Sequence, residues 1–335
     1  LNIKLSKEMG PSERVTRKPC ANNGSIAKNP STPITNRPPN QEIFFIGSKL
    51  LKNFHLLLNQ HRSMPTPRIT AIYIYPIKSM GGMSLGDAEV GMRGLQHDRR
   101  YMLVSAEGKF LTQRQTPELG QFHLAYNADQ TGFMVTFQGD TLDIPLSLSH
   151  QNHQTLTANV WDDSVEVLSA PSHINQWFSQ KLQRDVSLVY QPDHANRPLP
   201  PEYQPNPQNT HHVSLADGYP ILVVSEASLS LLNRKIQHSS PQTEPMSLLR
   251  FRPNVVLSHL EPHQEDTLGT FQLGTATFHI AKPCSRCILT TIDPITLERG
   301  DEPLRTLSTY RKENNKILFG ANALCLKPGK ISTSK

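Results

Sequence analysis

The sequence predicts a mostly β chain with a few helices, of the α+β class. Two patterns carry this expectation. Short runs rich in Val, Ile, Tyr, Phe and Thr recur from Arg68 onward, with turn residues about every ten positions. Helical periodicity surfaces at only three places, beginning near Ser172, Ser225 and Pro303. With 335 residues, 36% of them hydrophobic, the chain can bury a core. No apolar run reaches the roughly 18 residues that predict a membrane-spanning helix.

Residues 1–40 are polar and rich in Pro, Asn, Ser and Thr, the composition of a disordered leader. Phe44 to Leu58 is apolar and basic and predicts an amphipathic turn or two. A mitochondrial transit peptide fits the sparse acidic residues. An over-extended start, with Met64 as the true first residue, fits equally well. In both readings residues 1–64 stand apart from the fold.

Ile69 to Tyr75 has strand composition, and Pro76 ends it. Met80-Gly81-Gly82 is a turn, Asp87 to Val90 a second strand and Tyr101 to Val104 a third. Ala106 to Lys109 predicts a hairpin turn with Phe110 to Arg114 as its returning strand. Phe133 to Phe137, Asp143 to Leu146, Thr157 to Val160 and Val165 to Leu168 continue the series, as a small barrel or curved sheet. Ser172 is expected to cap a helix whose stripe is Ile174, Trp177, Phe178 and Leu182. Val186 to Tyr190 is a strand. Pro192 to Asn209 is a proline-rich loop, of the length that serves as a lid or is disordered. Ile221 to Val224 reads as a buried strand, and Ser225 as the cap of a helix to about Ile236. Val255 to Leu257 and the alternating Thr275 to Ile280 are strands. Leu304, Leu307 and Tyr310 predict a short helix, and Ile317 to Leu326 the last sheet residues. The expected division is 1–64 as leader or extension, 68–190 as a first β domain, 191–210 as a connecting loop and 211–332 as a second domain.

The net charge of +6 is unevenly placed. Residues 1–64 hold ten Lys/Arg and three Asp/Glu, and the remainder is close to neutral. The basic balance therefore gives no support to nucleic-acid binding. Dinucleotide, P-loop, nucleophile-elbow and His-Glu-x-x-His signatures are absent from the sequence.

Two of the four cysteines, Cys284 and Cys287, flank Ser285-Arg286. A redox pair is expected at a helix N-terminus, whereas this one follows a strand and precedes Ile288 to Thr291, which has strand propensity. A structural zinc site needs two more ligands, and Cys325 stands alone. A single soft thiolate holding a polarisable metal fits better. Two ordinary half-buried cysteines remain an equal alternative. Lys78, Arg99, Arg252 and Arg286 each adjoin a strand end and together suit an anionic, phosphate-bearing ligand. Asp98 is suited to fixing an arginine or to receiving backbone N–H groups. Asn254 is suited to reading a pterin or purine edge. Asp217-Gly218 reads as a turn without a further role.

Five stretches carry a family resemblance: Tyr75-Pro76-Ile77-Lys78-Ser79, His97-Asp98-Arg99-Arg100-Tyr101, Leu222 to Ala227, Phe251-Arg252-Pro253-Asn254, and Cys284 to Pro294. The chain resembles the MOSC-domain proteins, and within them the branch of the mitochondrial amidoxime-reducing component and its bacterial counterparts. The resemblance implies an N-terminal β-barrel-like domain, a MOSC β-barrel domain and a molybdenum cofactor (molybdopterin) between them. It implies Cys287 as the catalytic thiolate ligand of molybdenum. Lys78, Ser79 and Arg99 are implied to hold the pterin and its phosphate. Arg252, Asn254, Ser285 and Arg286 are implied to line the pocket near the metal.

The implied activity is reduction of N-hydroxylated small molecules such as hydroxylamines and amidoximes. No cysteine cluster follows Cys325, so electrons are expected from a separate flavoprotein, ferredoxin or b-type cytochrome. A sulfur-transfer protein and a non-catalytic molybdopterin carrier are the alternatives. Pyridoxal phosphate, linked to the family through the sulfurase, has no recognisable lysine-bearing domain here. A monomer in the cytoplasm is the remaining expectation.

Overall fold

Three isoleucines build the first strand. Ile69, Ile72 and Ile74 of β1 (Arg68–Ile74) are all buried. A strict two-residue period would turn Ile69 and Ile72 to opposite faces. A shift of register between Ile69 and Ala71, in the pairing with a later strand, resets the alternation. The computed structural model describes residues 66–204 and 211–333. The expectations for residues 1–64 lie outside these, as does the end of the predicted 192–209 loop.

Short strands follow: β2 (Met83–Leu85), β3 (Asp87–Gly91), β4 (Gly94–Leu95) and β5 (Tyr101–Val104). Then come β6 (His123–Tyr126), β7 (Gly132–Phe137), β8 (Asp140–Pro145), β9 (Thr155–Val160) and β10 (Asp163–Ser169). Helix α1 (Ser172–Leu182) precedes β11 (Ser187–Tyr190). The second half contains β12 (Ile221–Ser225), α2 (Glu226–Ser239), β13 (Val255–Ser258), β14 (Thr270–Leu273) and β15 (Ala276–Arg286). It ends with α3 (Leu304–Ser308), β16 (Lys312–Glu313), β17 (Lys316–Lys327) and β18 (Gly329–Ser332). The described chain is thus predominantly β with few helices.

The described strands form four sheets. The largest runs β14-β15-β17-β12-β13-β1-β2, with β16 on β17. Its one parallel pair is β12 with β13, and α2 makes the crossover between them. A four-stranded sheet, β5-β11-β10-β9, and two three-stranded sheets, β6-β7-β8 and β18-β3-β4, complete the set. The sheets do not follow the linear order of the chain. β1 and β2 are hydrogen-bonded into the sheet of the second half, and β18 returns to pair with β3. One apolar core accordingly runs from Ile72, Phe122, Phe133 and Phe178 to Val223, Val255, Phe278 and Ala323. Met64–Lys335 is one compact unit.

Three local expectations need correction. Pro171, not Ser172, is the cap of α1: its carbonyl receives the N–H groups of Ile174 and Asn175 at 3.0 and 3.2 Å. The Asn175 side chain then ties the helix to Ala170 and Leu188. The hairpin turn after β5 forms, but its returning strand reduces to one bridge between Val104 and Phe110. Beyond Leu111 the chain curls, with Gln115 and Thr116 donating to the Thr112 carbonyl, ahead of Pro117. Ile288–Thr291 is a 3-10 turn and not strand. The Thr290 and Thr291 hydroxyls donate to the carbonyls of Cys287 and Ile288 at 3.0 and 2.8 Å, which offers this backbone a turn in place of a ladder.

A cationic cleft as the candidate functional site

The resemblance singled out eight residues: Lys78, Ser79, Arg99, Arg252, Asn254, Ser285, Arg286 and Cys287. All eight line one cleft of about 620 Å³. They come from distant parts of the chain. Lys78 and Ser79 follow β1, and Arg99 precedes β5. Arg252 and Asn254 precede β13, and Ser285 to Cys287 lie at the end of β15. The convergence follows from the sheet order, which sets β1 beside β13 and carries β15 against β17.

β15 reaches the cleft through irregular pairing. Its register against β17 shifts between Ile280 and Lys282 and again between Pro283 and Ser285. Its pairing with β14 ends at His279. Such irregularities re-aim side chains at the end of a strand. Ser79, Arg99 and Arg252 have φ of 68°, 49° and 55°, the left-handed region that non-glycine residues seldom adopt. Three of the eight thus hold an unfavourable backbone that the surrounding bonds must maintain.

Those bonds are specific. Asp98 is buried and meets both of its expected roles: Oδ1 accepts the Tyr75 N–H at 2.8 Å and Oδ2 accepts Arg99 Nη1 at 2.6 Å. Arg99 also donates to Asn254 Oδ1 at 3.0 Å and to the Arg252 carbonyl at 3.3 Å. Arg252 donates to the Met80 carbonyl at 2.7 Å, and burial pulls its guanidinium down to about 10. The Arg99 and Arg252 guanidinium carbons lie 4.3 and 4.1 Å from the Tyr75 ring centre, within cation–π range.

Asn254 turns its amide inward rather than to a ligand. Its Oδ1 accepts from Arg99 and from the Leu222 N–H, and its Nδ2 donates to the Tyr73 carbonyl at 3.1 Å. In this geometry Asn254 positions Arg99 and joins β12 to β1.

Asp217 carries more than a turn. Its carboxylate accepts from the buried Lys78 ammonium, from Arg114 Nη2 at 3.3 Å and from Trp161 Nε1 at 3.3 Å. Burial opposes ionisation of Asp217, but Lys78, Arg114 and Trp161 outweigh it and hold the carboxyl down at about 2. Burial draws the Lys78 ammonium down to about 8, with Asp217 acting in the opposite direction. The expected lid contributes Arg197, a buried residue that sequence reasoning passed over. It donates to the carbonyls of Ser214, Ala216 and Asp217 and pairs with Asp163 at 2.6 Å.

The cleft is strongly cationic: Arg114, Arg197, Lys282 and Lys316 join Lys78, Arg99, Arg252 and Arg286, against Asp162, Asp163 and Asp217. Arg114 Nε and Arg286 Nε are buried and have no hydrogen-bond partner among the described residues. Unsatisfied guanidinium N–H groups beside a cavity are donors left for an anion.

The thiols differ in setting. Cys287 is exposed at the cleft, where it precedes the 3-10 turn. Cys284 is half-buried and receives Arg286 Nη1 at 3.1 Å, while Arg286 Nη2 donates to the Phe251 carbonyl at 2.7 Å. Cys325 is fully buried, and burial pushes its thiol up to about 11. It takes no part in the cleft.

Two family models match the chain. The MOSC N-terminal beta barrel domain spans residues 66–185 and the MOSC domain residues 210–334. The chain belongs to the MOSC-domain family. Among relatives of this MOSC chain, mitochondrial amidoxime-reducing component 1 of Mus musculus is 30% identical over 260 residues, covering 75% of this chain and 74% of that protein. The human protein of the same name is 28% identical over 264 residues, with 76% of each covered. Molybdenum cofactor sulfurase of Oryza sativa subsp. japonica is 28% identical over 285 residues, or 81% of this chain. The MOSC chain spans only about a third of that sulfurase's length, 34%.

Proposed function

We propose that the chain binds a molybdopterin-type molybdenum cofactor in the cationic cleft and acts as an oxidoreductase on N-hydroxylated small molecules. Kinship with the amidoxime-reducing components supports a MOSC-type oxidoreductase role in general. The observation that carries the finer reading is convergence: eight residues from four separate segments meet in one cleft with an exposed thiol at its wall. The donor set fits the group. Arginine N–H groups without partners suit a phosphate, and a free thiol suits a soft metal.

In this reading Lys78, Ser79 and Arg99 hold the phosphate end, and Arg252, Ser285 and Arg286 line the wall near the metal. Cys287 supplies the sulfur ligand. Asn254 holds Arg99 in place, and Asp217 keeps Lys78 directed to the cleft. Bound cofactor supplies a two-electron couple able to take the oxygen of an N–O bond. The residues of this chain bind and orient it, and electrons come from a separate donor protein.

Metal analysis tests the reading. Wild type and Cys287→Ala are produced in a host with an intact cofactor pathway. About one molybdenum per wild-type chain and loss of it in the variant are expected. Wild type free of molybdenum overturns the proposal. Benzamidoxime reduction with a chemical electron donor separates an enzyme from a carrier. Sulfane sulfur on Cys287 without molybdenum would instead indicate sulfur transfer.

A further inference from the structure

A second group of ligating atoms lies away from the cleft, on the four-stranded sheet. Glu166 projects from the exposed face of β10. His150 comes from the segment between β8 and β9, and His194 from the segment after β11. Their ligating atoms converge. His194 Nε2 is 2.6 Å from Glu166 Oε1 and 2.9 Å from His150 Nε2, and His150 Nε2 is 3.6 Å from the same Glu166 oxygen. Among the described residues this is the one group of three or more His, Cys, Asp or Glu side chains whose ligating atoms all meet.

Hydrogen bonding alone serves this arrangement poorly. His194 Nε2 faces both a carboxylate oxygen and a second imidazole nitrogen. A proton on it bonds one of them well and the other only as a shared, weakened contact. A cation at the centre removes the conflict, because each of the three atoms then offers a lone pair. The size is right. Four-coordinate zinc has Zn–N and Zn–O distances of about 2.0–2.2 Å, which places neighbouring ligand atoms about 3.3 Å apart. The three observed separations bracket that value. Thr155 Oγ1 lies 3.3 Å from His150 Nδ1, so a hydroxyl contacts the ring nitrogen opposite the ligating one, the outer-shell contact that orients metal-binding imidazoles.

We propose that His150, Glu166 and His194 form a binding site for a divalent transition-metal cation of the zinc type, with a fourth position open to water. All three side chains are between 44% and 55% exposed, so the ion enters without opening the fold. The site stands where the segment after β11 passes β10. That segment continues to Arg197, which is paired with Asp163 of β10 and lines the cleft. A bound ion therefore strengthens the second attachment, His194 to Glu166, between β10 and the segment that carries Arg197.

The test uses tag-free full-length protein and Zn²⁺ itself. Affinity and stoichiometry are read by competition with a chromophoric chelator, alongside amide hydrogen exchange of residues 193–197. Wild type is expected to bind one Zn²⁺ at this site and to slow exchange in that segment. Glu166→Gln, which preserves shape, should weaken binding at least tenfold, and H150A/H194A should abolish this site and the exchange effect. The cleft thiols give a separate signal that persists in H150A/H194A. Absence of saturable wild-type binding overturns the proposal. So does binding that is unchanged in H150A/H194A, or wild-type binding that leaves exchange at 193–197 unaltered.

Discussion

Arg99 Nη1 donates to Asn254 Oδ1 across 3.0 Å, joining residues 155 positions apart in sequence. The same amide oxygen receives the Leu222 N–H at 3.1 Å. One buried side chain thus sets the position of a cleft arginine and ties β12 and β1 together at the start of β13, the strand between them. Asn254→Leu strands the Leu222 amide and the Tyr73 carbonyl and removes a partner from Arg99. Buried groups left unpaired cost roughly 1–3 kcal/mol each. A loss of about 3 kcal/mol in urea unfolding is expected, together with weaker anion binding by the folded fraction.

Lys78 has a pH signature. Its ammonium titrates near 8, below its ordinary 10.5, because it is buried. Anion binding favours the charged form, so affinity is level below pH 8 and falls as pH rises above it, by at most about tenfold per pH unit. Calorimetric titration from pH 7 to 10 with sulfate, whose own charge is constant over that range, measures this. Lys78→Met should bind weakly throughout and lose that slope.

Asp217 gives a signature at the acid end. Its folded-state value of about 2 lies below the ordinary 3.8, so the unfolded chain binds the proton more readily. The stabilisation is present above pH 4 and is lost as pH falls from 4 to 2. Asp217→Asn should show a shallower loss of stability over that interval, read by thermal unfolding at each pH.

Gly320 sits within β17 at φ 71°. A Cβ there would lie 2.8 Å from Val224 Cγ2 and 2.9 Å from the Val223 carbonyl oxygen. A left-handed non-glycine residue costs roughly 1–2 kcal/mol, and overpacking adds about 1–3. Gly320→Ala should therefore destabilise by about 2–5 kcal/mol in denaturant unfolding. Gly139, at φ 88° on the β7–β8 hairpin with open space around it, should lose only the conformational part on the same substitution.

Thiol reactivity separates the cysteines. Iodoacetamide at neutral pH should label Cys287 in the native protein. Cys325, with its thiol pushed up to about 11 in the core, should react at least 100-fold more slowly until the chain is unfolded. Peptide mass spectrometry before and after denaturation reads the difference.

Elements whose pattern is local were legible in the sequence. β1, β5, β7, β12 and β17 carry dense apolar and β-branched runs, and Ser225 caps α2 by accepting the Ser228 N–H as expected. Two kinds of strand were not: β4 has only two residues, too few for a pattern, and β18 depends on β3 at the other end of the described chain. The cleft followed the same division. Motifs exposed the residues beside Pro76, Pro253 and the cysteines. Asp217 read as a turn because Asp-Gly is a turn dipeptide, and its partners Lys78 and Arg114 lie 139 and 103 residues away. Arg197 gave no local signal, because a proline-rich loop does not reveal which of its side chains turns inward. The 3-10 turn at Ile288–Thr291 was misread because Ile and Thr favour strands, whereas here the two hydroxyls bond back to the chain.

The exchange of strands between the two halves also fixes an order of events at the ribosome. β1 leaves the exit tunnel long before Val255–Ser258, the partner of one of its edges, has been made. β3 waits longer, until Gly329–Ser332 emerges. Through most of synthesis the nascent chain therefore carries apolar strands with an open edge, the condition under which chaperones are engaged and neighbouring chains associate wrongly. Residues 64–190 made alone should accumulate as insoluble material. Made together with residues 191–335, they have every missing edge supplied.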